Sequence, residues 1–402
     1  MQQKITISQK DNLSGNFGYV NRSSGIFYYK QSANFSSKVC FMDYWSVKRD
    51  VKVLLLASTR DMDGKLVKRE ELNFDEANVL NYQPDLGVDD FEGSVEIEVF
   101  ATQNMVIPYS AIMVVYKAEK STSMVHTYGR IYSPHEIEEG RTITVGRESC
   151  WTIKDSDEIA SFGVFHNGHK PQPSQNVSMS IINAKGEKKD ASFALDELPP
   201  YATCKIYPAE HIDGLVDFLG GEAGNASISF DLCDAFTRML VGNETKDGSE
   251  IQVTHSNFNY SAHASDSIEG FNEAYMDIVP AEFKSAKVIV YPDSAQGEYQ
   301  AITQNGAVRF NNTTRTEIDV EPGENLVFKP ANDGQKMPTR IVTAFSAQPS
   351  NENLKLPFEC SLGVKHKEIP MKRSHWGLIT SCLLYTSPSP RDQRGSRMPS
   401  SA

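Results

Sequence analysis

Apolar residues in this chain recur at every second position, and that period decides its fold class. Ser94-Val-Glu-Ile-Glu-Val-Phe100 alternates polar and apolar side chains, as a strand with one face on a core must. Ser227-Ile-Ser-Phe-Asp-Leu232 repeats the pattern, and Thr316-Glu-Ile-Asp-Val320 carries it more weakly. Val51-Lys-Val-Leu-Leu-Leu56 and Lys287-Val-Ile-Val-Tyr291 read as more fully buried strands. Turn chemistry separates these runs at Asp61-Met-Asp-Gly64, Asn183-Ala-Lys-Gly186, Lys246-Asp-Gly248, Gln304-Asn-Gly306 and Glu321-Pro-Gly323. Asn-Gly and Asp-Gly supply the positive φ that tight hairpins demand.

A single segment reads as helical. Pro208 to Leu219 places Ile212, Leu215, Val216 and Leu219 at i, i+3, i+4 and i+7, and Gly220-Gly221 ends it. Strands do not alternate with helices, so a doubly wound nucleotide fold is excluded. The expected class is all-β: tandem β-sandwich repeats with one short connector helix.

An internal repeat organises the chain. Met113-Val-Val-Tyr116 leads to Val125-His126 and then to Tyr132-Ser-Pro-His135. Met239-Leu-Val-Gly242 leads to His255 and then to Tyr260-Ser-Ala-His263. Val364-Lys-His366, followed by Ser374-His375, reads as a third copy. Landmarks around them keep their order, including a buried strand and Gly turn at Val51 to Gly64 and again at Val177 to Gly186. The expected units are residues 1–147, 148–270 and 271–381, of a size suited to sandwiches. This layout resembles immunoglobulin-like sandwiches, without their Cys…Trp…Cys signature. The hairpin ending in Val-His or Val-x-His also resembles the small β-sandwich of sensory rhodopsin transducers. That likeness implies a cytoplasmic domain that docks to partners or ligands rather than an enzyme.

Cys382-Leu-Leu-Tyr-Thr-Ser-Pro-Ser-Pro-Arg-Asp392 resembles one translated frame of a sequencing adapter, and Gln393 to Ala402 has no periodicity. Residues 382–402 are therefore expected to be an artefactual tail and the third unit to be cut short. Without them the formal charge of −12 becomes −14. Such acidity argues against a nucleic-acid partner. No run of about 18 apolar residues is present to span a membrane. Met1-Gln-Gln-Lys-Ile-Thr-Ile-Ser8 is not a signal peptide, which makes a cytoplasmic setting the expectation. Cys40, Cys150, Cys204, Cys233 and Cys360 are widely spaced and form no C-x-x-C pair.

Chemistry-bearing motifs are few. Gly-x-Ser-x-Gly, His-Glu-x-x-His and the P-loop are all missing, and Asp61-Met-Asp63-Gly64 lacks the later ligands of a calcium loop. The recurring His126, Tyr132, His135, His255, Tyr260 and His263 are the candidate ligand-binding residues, because imidazoles at matching strand ends could converge across a loop. No cofactor is implied. The expected role is non-catalytic binding or scaffolding, with a protein or carbohydrate partner. The alternative is a metal-dependent or carbohydrate-active enzyme using His126/His135 or His255/His263.

Overall fold

A computed structural model gives the structure of the chain. It describes residues 21–75, 78–101, 112–126, 129–132, 143–236, 238–258, 274–276, 283–292, 297–311, 313–324, 326–333, 342–349, 353–363 and 365–366. The first strands are β1 (Asn21–Gln31), β2 (Ser36–Met42), β3 (Leu54–Asp61), β4 (Leu66–Leu72), β5 (Val79–Tyr82), β6 (Phe91–Ala101), β7 (Met113–Lys117), β8 (Thr122–Val125) and β9 (Arg130–Ile131). Next come β10 (Ile143–Ile153), β11 (Ile159–His166), β12 (Gln175–Ile182), β13 (Lys188–Leu195), β14 (Thr203–Ile206), β15 (Gly224–Cys233), β16 (Ala235–Phe236), β17 (Leu240–Thr245), β18 (Ile251–His255) and β19 (Asn257–Phe258). The last are β20 (Ala274–Met276), β21 (Phe283–Val290), β22 (Glu298–Thr303), β23 (Gly306–Asn311), β24 (Thr316–Val320), β25 (Leu326–Pro330), β26 (Val342–Pro349), β27 (Phe358–Gly363) and β28 (Lys365–His366).

One strand order recurs three times. The first sheet of each set runs β4-β3-β6-β1, β13-β12-β15-β10-β19 and β23-β22-β25-β20-β28. The second runs β5-β2-β7-β8, β14-β11-β17-β18 and β24-β21-β26-β27. All these pairings are antiparallel. Alternation explains the layering: Val95, Ile97 and Val99 of β6 face Val39 and Phe41 of β2 in one core. Ile228, Phe230 and Leu232 of β15 meet Phe165 and Val241 in a second core, and Phe328 meets Val288 and Phe345 in a third.

Turn glycines behave as their sequence implies, with φ of +80° at Gly64, +82° at Gly186 and +74° at Gly248. The helix expected over Pro208 to Leu219 is interrupted. A 3-10 turn (Pro208–Glu210) and α2 (Leu215–Leu219) are separated by Gly214 at φ +63°. A second short helix, α1 (Tyr44–Arg49), was not legible. Asp43 caps it by accepting a hydrogen bond from Ser46 N at 2.9 Å, while Trp45 anchors it in the core.

The third copy of the His motif is misplaced by the sequence reading. His366 lies in β28 and pairs with Ala274, as Phe258 pairs with Glu148 and Gly129 with Ile26. Ladder register puts a different residue in the equivalent corner. His255 faces Leu240, which lies next to Val241, the partner of Gly163. In the third set Ser361 faces Ala344, next to Phe345, the partner of Val288. Ser361 is therefore the counterpart of His255.

Neighbouring sandwiches pack head to tail. Phe162, Val164, Leu240, Ile251 and Val253 from the outer face of the second sandwich join the core of the first. Cys150 of the second packs with Ile289, Tyr291 and Ala344 of the third in the same manner. At the first seam Thr203 N donates to Met62 O at 2.9 Å, beside Gly64, where an added Cβ would stand 2.1 Å from Pro200 O. Gly87 also has positive φ (+65°) but faces open space. Replacing Gly87 with Ala is expected to cost about 1 kcal/mol through φ alone. Gly64→Ala is expected to cost about 2 kcal/mol or more, because the backbone of the facing sandwich must also retreat. Urea unfolding of the two variants measures the difference.

Candidate functional site

The convergent point of the molecule is built from three edge strands. β8, β18 and β27 end their respective sheets and pack against one another. An edge strand carries unpaired backbone groups that must be satisfied. On β18 they are met by serine hydroxyls of the first sandwich. Ile251 N donates to Ser121 Oγ at 2.7 Å, and that hydroxyl donates to Ile251 O at 3.0 Å. Ser123 treats Val253 in the same way, at 3.0 and 3.1 Å. On β27 the acceptors come from the second sandwich: Ser361 N donates to Thr254 Oγ1 at 3.2 Å and Leu356 N to Glu250 Oε2 at 2.9 Å.

This junction brings His126 and His255 together. Their rings meet edge to face with centroids 4.8 Å apart. The contact joins equivalent corners of successive repeats, not the two histidines within one repeat. His255 Nδ1 donates to Ser256 O at 2.7 Å, and the Ser256 hydroxyl donates to Glu148. Burial, helped by the Arg238 cation, lowers His126 to about 4, so this imidazole is neutral at pH 7. Burial raises Glu148 to about 7 against the opposing pull of Ser256 and Arg238. Among the described residues no three His, Cys, Asp or Glu side chains are grouped to hold a metal ion.

The other candidates fare differently. Tyr132 is half-buried, its N–H donates to Asp234 O at 3.0 Å, and the Arg130 guanidinium lies 5.3 Å from its ring centroid. His135, Tyr260 and His263 lie outside the described residues, as do residues 382–402. The pairings His126/His135 and His255/His263 therefore fall outside as well.

Sequence reading missed four polar clusters because each is assembled across the fold. Lys205 Nζ lies 3.1 Å from Glu244 and 3.5 Å from Glu92, among the rings of Tyr28, Phe162 and Tyr207. Burial pushes Glu92 up, but Lys205, Tyr28 and Lys30 outweigh it and hold the carboxyl below its ordinary value. On the face of the first sandwich that meets the second, Arg22 bridges Glu96 at 2.9 Å and Glu98 at 2.7 Å, while Arg60 stacks 4.0 Å from the Tyr201 ring. Burial and the neighbouring Glu98 raise Glu96 to about 7. Between the second and third sandwiches Thr152, Tyr291 and Glu359 form a closed triangle with edges of 2.9, 2.9 and 3.0 Å. Within the second sandwich, buried Asp234 holds Lys170 at 2.7 Å and His169 at 3.4 Å.

The chain matches no known family model, and it matches no curated protein.

Ser121→Ala with Ser123→Ala is expected to cost about 2–4 kcal/mol, since two buried strand N–H groups lose their acceptors. Calorimetry checks it. The sign of the Glu148 effect follows from its raised value. The folded state holds a proton that the unfolded chain releases near pH 4.5, so stability falls as pH rises from 4.5 through 7. Glu148→Gln is expected to remove that group's share of the fall, on the order of 3 kcal/mol, and to leave the share that Glu96 contributes. Denaturant titrations at pH 5 and pH 8 measure it.

Proposed function

We propose that this chain is a non-catalytic binding or scaffolding protein in which sandwich units are locked head to tail into one rigid body. The observation that carries this reading is how the polar chemistry is spent. The Lys205 cage bonds Glu92 across the first seam and the Thr152–Tyr291–Glu359 triangle closes across the second, while the Arg22–Glu96–Arg60 network is paired within the first sandwich and meets the second where Arg60 stacks on Tyr201. His126 and His255 belong to the same pattern: they meet across a seam rather than lining a cleft. Groups so consumed hold units at fixed angles, and fixed angles let an array present its outer surfaces together.

The likeness to immunoglobulin-like sandwiches and to sensory rhodopsin transducer domains enters at the level of architecture. It supports a partner-docking role, with a protein or a carbohydrate as the partner, and a cytoplasmic setting. No residue roles come with it. The rival is a metal-dependent or carbohydrate-active enzyme, and the two diverge at His255. On the scaffold reading His255→Ala lowers Tm by several degrees, because it removes a packed ring from the seam, and leaves metal content unchanged. Elemental analysis of the purified chain checks this. A stoichiometric transition metal lost in His255→Ala overturns the scaffold reading.

A further inference from the structure

The three equivalent edges are not equally protected. On β18 and β27 the outward backbone groups receive side-chain oxygens from the preceding sandwich, at Ile251, Val253 and Ser361. Ala118 N bonds Ser121 O, so on β8 the odd-numbered residues face β7 and the outward groups belong to Thr122 and Met124. Counting along the strands, the positions that Ser121, just before β8, and Ser123 hold in the first sandwich are held by Leu356, two residues before β27, and by Phe358 at its start. Neither side chain carries an acceptor. Among the described residues nothing bonds the outward groups of Thr122 and Met124, and Thr122 is exposed.

Among the described residues the sheet face beside this edge is open too. In the second sandwich Phe162, Val164 and Leu240 are buried against the first. Ladder register gives their counterparts in the first sandwich as Lys38, Cys40 and Met113. Lys38 is exposed, Cys40 and Met113 are half-buried, and Met42 nearby is 45% exposed. Among the described residues an interface surface thus recurs here without its cover. Met42, Met113 and Met124 give it a pliable apolar texture. Lys38, Lys117 and Lys120 are exposed around it, with Glu119 as an exposed counter-charge.

We propose that β8 is a strand acceptor: an extended, acidic segment of a partner polypeptide adds to its edge at Thr122 and Met124 and lies across the Lys38–Met113 face. This rests on the binding role proposed above and names its surface. An extended main chain is required because what is unmet among the described residues is a row of backbone donors and acceptors. Acidic flanks are required because the exposed charge is mainly cationic. In the covered counterpart the covering face likewise brings acids, Glu92 beside Lys205 among them.

The test uses the full chain and residue-resolved amide exchange. Without ligand, the Thr122 and Met124 amides are expected to exchange at least about tenfold faster than those of Ile251 and Val253. A short synthetic peptide of alternating Thr and Val with Glu at both ends is expected to slow Thr122 and Met124 selectively. It should bind, by fluorescence anisotropy, about tenfold more tightly than its Lys-ended counterpart. Met124→Pro removes an outward donor without touching the β7–β8 ladder and is expected to abolish binding. Lys38→Glu with Lys117→Glu, which leaves the backbone unchanged, is expected to reverse the preference for Glu-ended peptide. Equal protection of all four amides in the free chain overturns the proposal, as does a peptide that protects amides elsewhere. Protection elsewhere would leave the binding role standing, whereas metal dependence of His255 would remove that role itself. Dimerisation that protects β8 would show a second copy as occupant and would also overturn it.

Discussion

Everything in this architecture depends on how one sandwich covers the open edge of the next. A β-sheet that is not closed into a barrel ends in a strand whose N–H and C=O groups point at nothing. Ser121 and Ser123 answer this on β18 by giving and taking a hydrogen bond each, so two hydroxyls satisfy four backbone groups. A hydroxyl suits the task because it is donor and acceptor at once. The same four bonds set the register between sandwiches. Apolar burial by Phe162, Val164 and Leu240 then adds area to a geometry already fixed.

That geometry is heterologous: one sandwich offers a face and an edge that differ from those it receives. Such contacts either close into rings or continue. β27 also approaches β8 at the junction, but Lys38, Met42 and Met113 on the outer face of the first sandwich stay accessible, so among the described residues the array is not closed into a ring. Leu356 and Phe358 stand where a hydroxyl would be needed, so among the described residues no side-chain oxygen of the third sandwich reaches the outward backbone of β8. Gene-level repetition copies the fold, and individual positions are then free to diverge where one seam is used differently.

Much of the fold was legible in the sequence, and what was not legible had one cause. Ser94 to Phe100 and Ser227 to Leu232 announced strands through local alternation, and Gly64, Gly186 and Gly248 announced hairpins through local φ demand. The matching corners of His126 and His255 were visible as a repeated word. Nothing local said that these corners touch each other, since that depends on how two folded units dock. For the same reason Lys205, Ser121 and Ser123 were not singled out. The third corner was misassigned because the echo of a Val-x-His word outweighed ladder register, which only pairing reveals. The Pro208 to Leu219 helix failed at Gly214, where φ of +63° breaks an otherwise good apolar spacing.

The polar content of the seams has a further consequence for order. Lys30 N bonds Ser37 Oγ and Lys154 N bonds Ser161 Oγ, each seven residues on, so the two lysines hold one position in successive repeats. Each turns to a glutamate of the following sandwich, Glu244 for Lys30 and Glu359 for Lys154, both at 3.8 Å. The glutamates come from different strands, β17 and β27. A buried ion pair contributes little net stability, but a buried charge that meets the wrong surface is expensive. Units with a common core and interchangeable apolar seams could dock out of turn during folding. Carboxylates on different strands make each wrong pairing leave a lysine unmet, so the sequence of contacts is selected by what misdocking would cost.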